Sequence, residues 1–217
     1  AAIERKMPGH DLLGRDVVGW SWTELDVVSE GDGGAPKAHR DALKLLAATL
    51  QHTDSKTEQQ RLLCLDDPTK GEAGKINAAR GACATPFMML NDVGLTFGRA
   101  NYPNDNALGS VNFERWAKSP VWKDAKSCTA DIGGSATGTL KDPVISEEGR
   151  RFLAGLLGKL TDRQLHDLFE VARFDRRSRA PHEEVDKPAD TPGTATIDEW
   201  VSAFKQKRDE IASRRCS

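Results

Sequence analysis

His52-Thr53-Asp54-Ser55-Lys56-Thr57-Glu58-Gln59-Gln60 is answered further along the chain by Asn91-Asp92-Val93-Gly94-Leu95, and these two stretches set the expected fold. The first puts an acid two residues after a histidine, a lysine two residues after the acid, and an amide side chain five residues after it. The second sets an Asp-x-Gly turn behind the apolar run Phe87-Met88-Met89-Leu90.

Immediately upstream, Pro36 stands where a first-turn proline belongs. Ala42, Leu43, Leu45, Leu46, Thr49 and Leu50 recur at helical spacing. The pattern predicts a central helix over 36–51, so Asp54 and Lys56 fall in a loop directly after a buried helix. Arg61–Leu65 and Pro86–Asn91 read as two short apolar strands forming a small hairpin that delivers Asp92 to its turn. Residues 66–85 between them are rich in Gly, Ala, Asp and Lys, the composition of a loop insertion.

Farther out, residues 1–10 show no periodicity, and 1–16 read as a tail or the remnant of an upstream lobe, leaving 17–217 as one domain. Trp20 and Trp22 sit among β-branched residues in a stretch of ambiguous structure. Residues 98–112 and 129–141 read as polar loops, and Phe113–Trp122 as a segment packed on the helical core. Ser146 followed by Glu147 and Glu148 caps a helix over 147–158 whose inward face is Phe152, Leu153, Leu156 and Leu157. Thr161 and Gln164 form a capping box opening 162–173, with Leu165, Leu168, Phe169, Val171 and Ala172 inward. A charged, proline-containing loop over 173–194 leads to a last helix, 196–213, burying Trp200, Val201, Phe204 and Ile211. The sum is a mainly α domain with one small β-hairpin.

Thirty-one basic and thirty-three acidic residues leave a formal charge of −2, so a nucleic-acid partner is not expected. No apolar run approaches the roughly 20 residues of a membrane-spanning helix. Cys64, Cys83, Cys128 and Cys216 lack the C-x-x-C spacing of a zinc site. The favoured pairing joins Cys64 to Cys83 across the insertion and Cys128 to Cys216 at the tail, and four reduced, partly buried thiols are the alternative; the disulfides, if formed, imply a secreted or periplasmic location. Asn104-Asp105-Asn106 has the composition of a calcium loop but not its glycine or closing glutamate. His166 reads as a surface residue, and no G-x-S-x-G or H-E-x-x-H hydrolase signature occurs.

The order His-Thr-Asp-x-Lys-x-x-Gln followed by Asp-Val-Gly resembles the catalytic loop and metal-binding Asp-Phe-Gly of the protein-kinase superfamily. That resemblance implies a kinase C-lobe-like domain and phosphoryl transfer from ATP with Mg2+. Asp54 would be the catalytic acid or base, Lys56 the cation on the transferred phosphoryl group, Asp92 the chief metal ligand, and Gln59 the second ligand where the family has asparagine. It also implies a protein or small-molecule phosphoacceptor. The glycine-rich loop and strand lysine of a kinase do not precede His52, so the resemblance requires an upstream nucleotide-binding lobe, a partner chain that supplies one, or its loss. The alternative function is a non-catalytic kinase-like scaffold that binds a protein through exposed tryptophans or the 98–112 loop.

Overall fold

Side-chain caps set where three of the four longest helices begin. The computed structural model describes residues 8–12, 19–65, 83, 85–98, 111–133, 136–177 and 195–216. Within them the chain forms β1 (His10–Asp11), α1 (Lys37–Thr49), β2 (Asp54–Ser55), β3 (Gln60–Cys64), β4 (Pro86–Leu90) and α2 (Phe113–Lys118). There follow β5 (Trp122–Asp124), β6 (Thr129–Ala130), β7 (Thr137–Gly138), α3 (Glu147–Leu157), α4 (Asp162–Val171), α5 (Phe174–Arg177) and α6 (Ile197–Ser213). Thr161 and Thr196 each accept the N–H three residues on, and Gln164 and Glu199 reach back to the capping residue's own N–H. Ser146 caps α3 through the Gly149 N–H at 3.2 Å.

The helices pack in the spatial order α1 on α3, α3 on α6 and α6 on α4. Asp41 on α1 is buried and accepts the backbone N–H of Ser146 at 3.0 Å, tying the middle of one helix to the start of the next. Gly149 makes that approach feasible, because a Cβ there would lie 2.4 Å from the Cβ of Asp41. Trp200 sits at the centre of an aromatic cluster, with Phe97, Phe113, Trp116, Phe169 and Phe174 all within 6 Å between ring centroids. Such pairs add about 0.5–1.5 kcal/mol each beyond the area they bury. Lys207 lies 5.0 Å from the Trp116 ring centroid and donates to the Ser119 carbonyl, and burial pushes its pKa down.

The mainly α, kinase C-lobe-like architecture is not what forms. Beside six α-helices, the described residues hold three small sheets: β1-β3-β4, β2-β7 and β5-β6. β3 and β4 do pair antiparallel, Gln60 opposite Leu90, but Asp54–Ser55 lies outside this hairpin as a parallel strand against Thr137–Gly138. The 129–141 stretch expected as loop therefore carries β6 and β7. Two-residue strands are too short to show a period of 2, and only their distant partners define them. From the segment expected as a tail, His10–Asp11 add an edge strand to β3.

The helix faces are also narrower than expected. Leu153, Leu157, Leu165 and Phe169 are buried, whereas Phe152, Leu156, Leu168 and Val171 face outward, Val171 with 84% of its surface exposed. Nor are there exposed tryptophans for a binding surface: all five are at most 5% exposed. Most of the 98–112 loop, including Asn104-Asp105-Asn106, and most of the 66–85 insertion lie outside the described residues, as does 178–194. The two disulfides join Cys64 to Cys83 and Cys128 to Cys216 as expected. Among the described residues, no helix is long and apolar enough to cross a membrane.

Candidate functional site

The candidate loop begins where α1 stops. Gln51 adopts a left-handed φ of 56°, and the His52 N–H returns to the Ala47 carbonyl at 2.8 Å, closing the helix end. The next residue is gripped from both sides: the Thr53 N–H donates to the Leu95 carbonyl at 3.1 Å, and the Thr53 carbonyl accepts from Thr137 N–H at 2.7 Å. The 52–59 loop is thus held between the segment after Asp92 and strand β7. Gly138, at φ 99°, lets β7 approach so closely that a Cβ would meet the Lys56 nitrogen at 2.3 Å.

The Asp92 segment is anchored through Phe97. Its N–H donates to the Leu50 carbonyl at 2.7 Å, and its ring sits 4.9 Å from Phe174 and 5.1 Å from Trp116. Nearer the hairpin, the backbone N–H groups of Asn91 and Asp92 both reach the Gln59 carbonyl, at 2.9 and 3.2 Å. Gln60 is fully buried; with its amide oriented to suit its surroundings, it accepts from the Trp22 indole at 2.6 Å and donates to the Lys56 and Thr57 carbonyls. Trp22 also lies 5.8 Å, ring to ring, from His52.

Three of the four expected site residues therefore touch. Lys56 Nζ lies 3.0 Å from Asp54 Oδ1, and the Gln59 amide donates to Asp54 Oδ2 at 3.3 Å. Thr137 Oγ1 donates to Asp54 Oδ1 at 3.2 Å. Asp92 joins them by its backbone on Gln59, while its Oδ1 accepts the Gly94 N–H at 2.7 Å in a side-chain-capped turn. His52 is only 2% exposed, with neither ring nitrogen hydrogen-bonded. Burial lowers its pKa, although the Asp54 and Asp92 carboxylates both pull the other way. It is a neutral, buried ring beside two acids.

The Asp92 carboxylate and the Gln59 amide oxygen are hard oxygen donors of the kind Mg2+ prefers. Gln59 turns its NH2 toward Asp54, which leaves its carbonyl oxygen for another partner. The donor set fits the ion in kind. Elsewhere, His166, Asp167 and Glu170 on α4 offer three ligand atoms within 4.8 Å of one another on an accessible helix face.

Sequence reasoning missed Thr137, whose hydroxyl contacts Asp54 from a position far along the chain, and Phe97, which seats the Asp92 segment in the aromatic core. Nothing local marks Thr137. Phe97 carried a signal as the one aromatic residue of Leu95-Thr96-Phe97-Gly98. Comparison with protein-family models, curated proteins and solved structures finds no match, so the candidate site rests on this chain's own geometry.

Proposed function

We propose that the chain carries a metal-dependent phosphotransfer site made of Asp54, Lys56, Gln59 and Asp92. The observation that supports it is convergence: Lys56 and Gln59 both contact the Asp54 carboxylate, and the Asp92 backbone is bonded to Gln59. Asp54 orients an acceptor hydroxyl and takes up its proton. Lys56, half exposed beside that acid, offsets the charge of a phosphoryl group and the repulsion between the two carboxylates. Asp92 and Gln59 would hold Mg2+, which when bound neutralises nucleotide phosphate oxygens. Neutral His52 and buried Gln60 keep the loop in place from beneath. The substrates are ATP and a hydroxyl-bearing protein or small molecule. Two disulfides support an oxidising, extracytoplasmic location.

The test is Mn2+ binding followed by electron paramagnetic resonance, with and without ATP. Saturable, ATP-dependent binding is expected, lost in Asp92→Asn and kept in Asp54→Asn, which instead abolishes transfer of labelled phosphate. The second reading, a non-catalytic binding module, is favoured by how fully the acids are satisfied internally: Asp54 by Lys56, Gln59 and Thr137, and Asp92 by Gly94. It predicts no ATP-dependent Mn2+ signal in any variant.

A further inference from the structure

The start of α3, the end of α6 and the residues that follow it border an open pocket of about 580 Å³. Four arginines line it, Arg150, Arg151, Arg214 and Arg215, and Glu147 is the one acid among the lining residues. In a chain of formal charge −2 this is a marked local excess of positive charge.

Glu147 directs its hydrogen bonds to Arg150 and Cys216, and acts on Arg151 only through longer-range attraction. Its Oε1 accepts from Arg150 Nη2 at 2.7 Å, and its Oε2 accepts from Arg150 Nε at 2.8 Å and the Cys216 N–H at 2.9 Å. Arg150 completes its own bonding on the Ile211 and Ala212 carbonyls. Together these two residues form a neutral, hydrogen-bonded floor. The other three guanidiniums differ. Arg151 and Arg215 are exposed and have no ion pair among the described residues. Arg214 makes one long contact, Nη1 to the Ala125 carbonyl at 3.4 Å, while its Nε is shut off from solvent without a partner.

Gathering three cations in one concavity costs repulsion, and a bound anion relieves it. The cavity is also preorganised. The Cys128–Cys216 disulfide and the Cys216 N–H bond to Glu147 hold the 214–216 backbone, so a ligand need not order it. Guanidinium forks match the paired oxygens of phosphate better than they match a spherical ion such as chloride.

We propose that this cavity is a binding site for a small phosphate-bearing anion, held by Arg151, Arg214 and Arg215 over the Arg150–Glu147 pair. None of Asp54, Lys56, Gln59 or Asp92 takes part, so the site stands or falls apart from phosphotransfer.

Isothermal titration of the full chain with pyrophosphate, at neutral pH and about 0.15 M sodium chloride to screen loose association, tests it. Saturable binding is expected, weakened about tenfold or more in Arg151→Ala/Arg215→Ala. Both side chains are exposed, so that variant should fold, and an unchanged circular dichroism spectrum checks it. Parallel titrations with inorganic phosphate and a sugar phosphate distinguish a free-phosphate site from a phosphate-ester site, and saturation by either supports the proposal. Absence of saturable heat with pyrophosphate, or a double variant that binds within tenfold of the parent, overturns it.

Discussion

Asp41 Oδ2 accepts the backbone N–H of Ser146 at 3.0 Å, so an acid buried in the middle of α1 sits at the cap of α3. Burial pushes the Asp41 pKa up, but hydrogen bonds from Lys37 and Ser146 outweigh it and hold the group below its usual value. Asp41→Asn removes the charge that assists both bonds and leaves a poorly matched buried amide. It should cost about 2 kcal/mol, read as a lower urea midpoint with unchanged slope; an unshifted midpoint would show that the contact contributes nothing net.

Gly149 pits two opposed effects against each other at the same interface. Alanine in a helix interior is favoured over glycine by about 1 kcal/mol, but here its Cβ would meet the Asp41 Cβ at 2.4 Å. Overpacking of that kind costs about 1–3 kcal/mol. Gly149→Ala is therefore expected to destabilise in chemical denaturation, and a stabilised variant would mean that α1 and α3 are less tightly apposed than described.

Glu147 predicts an acid limb. Hydrogen bonds from Arg150, then the Cys216 N–H, pull its pKa from 4.5 down to about 2. A depressed carboxyl pKa means that the unfolded chain binds the proton more readily. The stabilisation is therefore whole above pH 4.5 and fades as pH falls toward about 2. Glu147→Gln should lose stability at neutral pH and flatten this part of the stability profile. An equally steep acid limb in the variant would assign it to other groups.

The two disulfides should differ in worth. Cys128–Cys216 spans 88 residues of sequence and Cys64–Cys83 spans 19. Chain-entropy arguments give the longer closure about 1 kcal/mol more stabilisation. Cys128→Ala/Cys216→Ala is thus expected to lower the denaturation midpoint further than Cys64→Ala/Cys83→Ala. Intact mass without reductant should be lower by four hydrogens than after reduction, and free thiols at these positions would contradict both bridges.

The sequence by itself determined the long elements. Ser146, Thr161 and Thr196 mark the starts of α3, α4 and α6 because a cap satisfies N–H groups only two or three residues away. The α1 helix and the β3-β4 pair were legible for the same reason, since their periodicity lies within a few consecutive residues. Of the candidate site, Asp54, Lys56, Gln59 and Asp92 were readable as residue types in order. What brings them together was not. Thr137 is bonded to Asp54 across 83 residues, and Phe97 is seated against Trp116 and Trp200. Tertiary structure alone decided that Asp54–Ser55 would be a strand rather than a free loop. It decided that Leu168 and Val171 would face out while Arg40, Asp41 and Lys44 went in. Two-residue strands and buried charges are stabilised almost wholly by partners distant in sequence, and such partners leave no local pattern to read.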